Sequence, residues 1–292
     1  MDRSRDVPAF DDALKRRLKE IRHLALDLDG TLHIGGTLFE FTLGFIQSLR
    51  QLGIGFSFVT NNSSQSDREY VVKLKEMGID AELGDIYTSA HGTIDYLRNE
   101  LEPWKRLFVL GTRGLHDQFT EAGFTVCDTE PEVVVIGFDT GLVYDRLALA
   151  AYWIQQGKPY LATHPDLVCP TDQPLVLPDC GAICQLLQAA TGRLPDAVLG
   201  KPNVAMLDGI RQRLGLDHTQ IAMVGDRLYT DIAMARSAGI LGVLVLTGEA
   251  QLSDLEGTAD RPDMVVANVG QLGRMLVAAK SSNGDEAVHV RQ

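Results

Sequence analysis

Short apolar runs that end in polar residues recur along the chain. The first run predicts a strand over 23–28 and leads into Asp-Gly-Thr at 29–31, and the second predicts a strand over 54–60 and leads into Asn-Asn-Ser-Ser at 61–64. Helical periodicity follows each run, over 41–52 and 66–77. Two successive strand–loop–helix units indicate a parallel sheet with right-handed crossovers, whose polar loops share one edge. Open sheets of this kind place their ligands at that edge.

A second block of the same pattern interrupts the first. It predicts strands near 106–110, 133–138 and 159–163 and helices near 113–122 and 145–156. This periodicity is too strong for a loop, so we predict an inserted α/β domain.

The chain is predicted to return to the first domain with a helix at 180–191. We expect the sheet to be completed by strands at 197–199, 221–226, 242–246 and 264–266. The predicted fold class is therefore α/β, a Rossmann-like parallel-sheet core with an inserted α/β domain. Its boundaries are 1–85 and 178–280 for the core, 86–177 for the insert, and 281–292 for a polar tail that we expect to be disordered.

Composition and charge narrow the class of partner. The chain is 45% hydrophobic and 23% charged, with a formal net charge of −12. This acidity, without any basic run, argues against a nucleic-acid surface but leaves small anionic ligands open. The N-terminal stretch lacks the apolar segment of a signal peptide, and no stretch reaches the roughly 20 apolar residues of a membrane span. We therefore expect a cytoplasmic protein without membrane association, whose four cysteines are reduced and structural.

The predicted strand ends carry a set of groups suited to phosphoryl transfer. Asp27 and Asp29 are two residues apart, so on extended backbone they would point to the same side of the strand. One carboxylate can attack phosphorus while the other moves a proton, and a divalent cation assists. Each feature also has a plain structural interpretation as a turn, a helix cap or a solvated lysine. The set comprises Asp27, Asp29, Thr60, Asn61, Lys201, Asp226 and Asp231.

In these motifs the chain resembles the haloacid dehalogenase-like phosphatases, specifically the branch of NagD and 4-nitrophenylphosphatase. The motifs are Asp27-Leu-Asp-Gly-Thr, Phe58-Val-Thr-Asn-Asn-Ser-Ser, Gly200-Lys-Pro and Gly225-Asp-Arg-Leu-Tyr-Thr-Asp-Ile232. The resemblance covers nearly the whole chain and implies that the insert is a cap domain. The dehalogenases of the superfamily lack the second aspartate of the first motif, so Asp29 favours phosphate chemistry.

The resemblance also implies roles for the acidic residues. Asp27 is expected to be the nucleophile, and Asp29 the general acid and then the general base. Asp27, the backbone carbonyl of Asp29 and Asp226 would hold Mg²⁺, and Asp231 would support the metal or Lys201. Mg²⁺ suits this set because it takes few carboxylates and keeps water and phosphate oxygens as its other ligands.

By the same resemblance, other residues are expected to bind the substrate. Thr60, Asn61 and Lys201 would bind the transferring phosphoryl group. Asn62 and the segment Thr163-His-Pro-Asp166 would contact the rest of the substrate, with His164 and Asp166 as the candidates in the cap. His164 stands where the family usually has asparagine, and an ordinary loop histidine is the alternative interpretation.

The expected activity is hydrolysis of a small phosphorylated metabolite through an aspartyl phosphate, with Mg²⁺ as cofactor. Candidate substrates are a sugar phosphate, glycerol phosphate, phosphoglycolate or a nucleotide. The alternatives are a non-catalytic protein that binds phosphometabolites and a phosphomutase. A homodimer formed through the cap is a further expectation.

Overall fold

The computed structural model describes residues 11–99, 105–171 and 174–281. Within them, the five helices named in the sequence analysis lie close to their predicted bounds. The helices are α1 (Asp12–Glu20), α2 (Thr42–Leu52), α3 (Asp67–Glu76), α4 (Ser89–Asn99), α5 (Arg113–Glu121), α6 (Tyr144–Gln155), α7 (Cys180–Thr191), α8 (Ala205–Leu214), α9 (Ala233–Ser237) and α10 (Val269–Ser281). The predicted disordered tail lies outside the described residues from position 282 onward.

The strands alternate with these helices along most of the chain. They are β1 (His23–Leu26), β2 (His33–Ile34), β3 (Thr37–Leu38), β4 (Gly55–Thr60), β5 (Ile86–Thr88), β6 (Arg106–Leu110), β7 (Thr125–Val126), β8 (Val133–Ile136), β9 (Tyr160–Ala162), β10 (Val168–Cys169), β11 (Leu177–Pro178), β12 (Ala197–Val198), β13 (Ile221–Gly225), β14 (Leu241–Val245) and β15 (Met264–Val266).

A six-stranded sheet has the order β15-β14-β13-β1-β4-β5. The β1–β13, β13–β14, β14–β15 and β4–β5 pairs are parallel, with His23 opposite Ile221 and Leu26 opposite Val224. Every residue of β1, β13 and β14 is buried, as expected for strands covered on both faces. The parallel arrangement brings the ends of β1 and β13 to the same edge, which places Asp27 and Asp226 side by side.

A five-stranded parallel sheet has the order β12-β9-β8-β6-β7. Alternate side chains of its strands enter two different cores. In β6, Leu107 and Val109 pack with residues of α4 and α5, whereas Phe108 and Leu110 pack with residues of α6 and α7. Because successive side chains on a strand point to opposite faces, these helices form layers on the two faces of the sheet.

Two expectations about the return of the chain were wrong. Helix α7 packs against α6, β8 and β9 of the five-stranded sheet, and β12 pairs with β9, with Ala197 opposite Leu161. The sequence could not reveal this, because a short apolar run such as 197–199 suits either parallel sheet equally well.

The structure divides into two compact units. The first comprises the described residues up to Ser57, Met77–Ile79, and those from Arg211 onward, and the second comprises Phe58–Glu76 and Asp80–Ile210. These boundaries follow contacts within the structure and differ from the predicted cap boundaries at 86 and 177, which remain a prediction.

Two further expectations concern cysteines and membranes. The four cysteines are all free thiols, and Cys180 and Cys184 lie in the core of the second unit. None of the helices among the described residues has the length and apolar character needed to cross a membrane.

Candidate active site

Asp27 follows directly after β1 and is almost fully buried. Its backbone N–H donates to Val224 O at 2.9 Å, which extends the pairing of β1 with β13 by one residue. The Thr31 hydroxyl donates to Asp27 Oδ2 at 3.1 Å. The carboxylate is therefore held from both the strand and the following turn.

Asp226 and Asp231 complete a buried acidic cluster with Asp27. Asp226 comes directly after β13, and Asp231 lies in the short helical turn Leu228–Ile232 that follows. One carboxylate oxygen from each of the three residues lies within 4.8 Å of the other two. Burial, and next the negative charges of Asp27 and Asp231, raise the pKa of Asp226 to about 8. Three carboxylates so close together, one of them held protonated near neutral pH, form a site that a cation would stabilise.

Three glycines pack directly against the carboxylates of this cluster, where a side chain would not fit. A Cβ atom at Gly30 or Gly248 would overlap the Asp226 carboxylate, and one at Gly225 would overlap Asp231. Gly30 also has a φ of +85°, which side chains rarely adopt. A glycine at position 30 therefore allows both the turn of the backbone and the close contact with the Asp226 carboxylate.

The loop after β14 is a part of the site that the sequence analysis missed. The Glu249 N–H donates to Asp226 Oδ2 at 2.7 Å, and the Thr247 hydroxyl donates to the carbonyl oxygen of Gly30 at 2.6 Å. A signal was present, because Thr-Gly-Glu at 247–249 follows an apolar strand just as the recognised motifs do.

Asp29 is partly buried two positions after Asp27, and its side chain pairs with a histidine. Its side chain is 35% exposed, and its Oδ1 lies 3.2 Å from Nδ1 of the fully buried His33. The strand ends at Leu26, so the alternation that predicted a common direction for Asp27 and Asp29 does not extend this far. The predicted metal contact of Asp29 was through its backbone carbonyl, and it remains a prediction.

In the second unit, Asn61 connects two distant parts of the chain. Its side-chain Nδ2 donates to both carboxylate oxygens of Asp166 at 3.2 Å and to Lys201 O at 3.1 Å. Its Oδ1 accepts from the Lys201 N–H at 2.7 Å. Both the nitrogen and the oxygen of this amide bond to the Lys201 backbone, so Asn61 fixes that backbone.

Lys201 and Thr60 are also nearly buried in the second unit. The Lys201 ammonium donates to Val59 O at 3.3 Å, and the Thr60 hydroxyl accepts from the Asn62 N–H at 3.2 Å. The solvated lysine that was the alternative interpretation is excluded, because only 3% of Lys201 is exposed. A positive charge held beside a Thr-Asn turn is suited to bind a phosphoryl group.

The three remaining candidates also lie in the second unit. Asn62 Oδ1 accepts from the N–H and the hydroxyl of Ser64, at 2.8 and 2.7 Å. Asp166 is half-buried against Asn61, whereas His164 is fully buried and bonded to Asp179. The substrate contacts predicted for these residues remain predictions, as does the homodimer.

Comparison with known proteins identifies the family. A sequence model described as haloacid dehalogenase-like hydrolase matches residues 24–125, and a second hydrolase model of the same kind matches 198–272. An acid sugar phosphatase of Staphylococcus aureus is 35% identical over 240 residues, which are 82% of this chain and 92% of that protein. The chain belongs to the haloacid dehalogenase-like hydrolases.

Solved structures of this hydrolase family support the same assignment. A 4-nitrophenylphosphatase from Thermotoga maritima is 40% identical with a TM-score of 0.84, covering 88% of this chain and 98% of that one. A glycerol phosphate phosphatase from Mycobacterium tuberculosis, solved in complex with magnesium, is 32% identical with a TM-score of 0.81, covering 89% and 78%. The predicted branch, fold class and enzyme class are confirmed: this haloacid dehalogenase-like hydrolase is a phosphatase.

Proposed function

We propose that this hydrolase is a Mg²⁺-dependent phosphomonoesterase that acts on small phosphorylated metabolites through a phosphorylated Asp27. The observation that carries the proposal is the buried cluster of Asp27, Asp226 and Asp231, in which the pKa of Asp226 is raised to about 8. An acidic cluster with this much unbalanced charge favours a bound dication.

Asp27 and Asp226 would hold the metal ion, with the Asp29 carbonyl as a further ligand and Asp231 in support. Mg²⁺ would supply positive charge that screens the carboxylate nucleophile from the phosphate and stabilises the transferring group. Oxygen ligands suit Mg²⁺ better than softer metals.

In the first step, a carboxylate oxygen of Asp27 attacks phosphorus, and the bond from phosphorus to the ester oxygen breaks. Asp29 gives its proton to the departing alkoxide. In the second step, water attacks the phosphorus and gives a proton to Asp29, and the bond between phosphorus and Asp27 breaks. Asp27 is then free and inorganic phosphate leaves. One residue thus serves as acid and then as base.

Thr60, Asn61 and Lys201 would bind the oxygens of the phosphoryl group. Phosphoryl transfer depends mainly on positioning and on neutralising charge at these oxygens, so a buried lysine is well suited to the task. Their hydrogen bonds within the second unit support this role.

The substrate is proposed to be a sugar phosphate or glycerol phosphate, with phosphoglycolate and nucleotides as further candidates. Relatives named acid sugar phosphatase and glycerol phosphate phosphatase support the first two. Contacts from Asn62 and Asp166 to the leaving group would provide the selectivity.

The experiment is a phosphate-release assay over a panel of phosphorylated metabolites, with Mg²⁺ and with excess chelator. We expect turnover that requires the metal and that Asp27→Asn abolishes without unfolding the protein, because an amide is not an anionic nucleophile. Asp263→Asn is the matched control, since that carboxylate is bonded to Arg17 and to the Gly242 N–H. Turnover by folded Asp27→Asn at the wild-type rate would refute the mechanism, and transfer to a second hydroxyl instead of water would indicate a mutase.

A further inference from the structure

A buried histidine–carboxylate pair lies beside the loop that carries Lys201. His164 Nε2 lies 2.8 Å from Asp179 Oδ1, and the two side chains are 0% and 3% exposed. Asp179 Oδ1 also accepts from the Cys180 N–H at 2.6 Å, which caps α7. The pair therefore joins the segment at 163–166 to the start of a helix.

His164 is in close contact with the residues that we propose bind phosphate. A Cβ atom at Gly200 would lie 2.5 Å from His164 Cβ and 2.7 Å from Asn61 Oδ1, so the backbone just before Lys201 packs directly on both. Ser89 provides a second link. Its hydroxyl donates to Asn61 O at 2.6 Å and lies 3.4 Å from His164 Nδ1.

Gly181 and Asp166 connect the histidine–carboxylate pair to Asn61. Gly181 N–H donates to Asp166 O at 2.8 Å, and a Cβ atom at Gly181 would overlap Pro165 O. Asp166 in turn accepts both bonds from Asn61 Nδ2. The start of α7 therefore packs directly against the 163–166 segment. Asn61 is hydrogen-bonded to Asp166 at the end of that segment.

The charges of the pair support a fixed arrangement. Burial alone lowers the pKa of His164, but Cys180 and the hydrogen-bonded Asp179 carboxylate raise it, to about 9. Burial raises the pKa of the Cys180 thiol well above its ordinary value, and the Asp179 carboxylate is the negative group that is hydrogen-bonded to His164. A buried ion pair that loses one member leaves the other uncompensated, which strongly disfavours the arrangement.

We infer that His164 and Asp179 are positioning residues that hold Asn61 and the Gly200–Lys201 backbone in the geometry required to bind a phosphoryl group. His164 acts through its neighbours and not by touching the substrate. This inference rests on the proposed function only in taking Asn61 and Lys201 as the phosphate-binding residues.

The test compares His164→Gln, Asp179→Asn and the double variant with wild type. Inorganic phosphate is the probe, measured both as a competitive inhibitor and by direct calorimetric binding in the presence of Mg²⁺. We expect each single variant to weaken phosphate binding and raise KM by roughly tenfold or more, with a smaller change in kcat, because small misplacements of binding groups are costly. The double variant should be little worse than either single variant, because both remove the same interaction.

The matched control is the other histidine–aspartate pair of the second unit. His91 Nε2 lies 3.6 Å from Asp67 Oδ2, and both side chains are about one-fifth exposed. His91→Gln should leave phosphate binding and KM unchanged. Ser89→Ala provides a milder variant should His164→Gln not fold, and we expect it to weaken phosphate binding several-fold.

Two outcomes would overturn the inference. Folded His164→Gln with wild-type phosphate binding would show that the pair is only structural, and so would additive effects in the double variant. These outcomes are distinct from failure of the proposed function, in which wild type itself would neither release nor bind phosphate.

Discussion

The acidic cluster predicts that Asp226→Asn stabilises the metal-free protein. Asn keeps the oxygen that accepts the Glu249 N–H but removes the ionisable group whose pKa burial, Asp27 and Asp231 raise from 3.8 to about 8. An acid with a raised folded-state pKa favours the folded state at low pH. This contribution is complete below the unfolded pKa and is lost as the pH rises towards the folded value.

The size of the effect follows from the two pKa values. Each pKa unit corresponds to about 1.4 kcal/mol, so by pH 7 wild type has lost up to about 4 kcal/mol that the variant retains. For a chain of 292 residues the entropy of unfolding is about 0.6 kcal/mol/K, so such a difference moves the unfolding temperature by roughly 6 to 7 °C.

The assay is thermal and urea unfolding of wild type and variant in chelator, from pH 4 to pH 9. The difference in unfolding free energy should be small near pH 4, grow with pH and level off above pH 8. With Mg²⁺ added, wild type should gain stability and the variant should gain much less. Asp263→Asn serves as the control and should not be stabilised relative to wild type, because this carboxylate accepts hydrogen bonds from Arg17 and the Gly242 N–H. A difference that is independent of pH, or a variant that is less stable throughout, would refute the reasoning.

Three further predictions concern single residues. Asp29→Asn should reduce the pre-steady-state burst more for alkyl than for aryl phosphates, because good leaving groups need less help from an acid; equal losses would assign the proton transfer elsewhere. Asp166→Ala should change kcat/KM among small phosphates by roughly tenfold, measured on the metabolite panel, and an unchanged rank order would argue against a role in selectivity. The pKa of His164, raised to about 9, predicts that the pair's contribution to stability is complete below pH 6.5 and lost as the pH rises through 9. Urea unfolding of wild type and His164→Gln should therefore converge over that range, and a constant gap would contradict the assignment.

The sequence predicted most elements and the residues that lie at the strand ends, because apolar runs and polar loops follow local rules. It also predicted that Asp27 and Asp226 would meet, since both follow adjacent parallel strands. The sequence-based prediction was wrong where a short segment could pair with either of two sheets. The run 197–199 joined the five-stranded sheet. Strand β1 ends at Leu26, so the alternation that predicted a common direction for Asp27 and Asp29 does not reach these two residues.

The sequence also could not predict the pairing of His164 with Asp179. The two residues are 15 positions apart and separated by two short strands, and neither belongs to a spacing that implies contact. Only the packing of α7 against the five-stranded sheet brings them together. Residues that act through neighbours leave no local pattern, unlike those that follow a strand directly.

The glycines around the acidic cluster also limit how the family can vary. Gly248 does not need its glycine for a left-handed backbone, because it is the Asp226 carboxylate that occupies the place where a side chain would begin. A homologue with any larger residue at the position of Gly248 must hold the aspartate equivalent to Asp226 differently or lack it. Gly248 lies three positions after the end of β14. A glycine at this position therefore indicates, from sequence alone, that a distant member of the family keeps this arrangement of carboxylates.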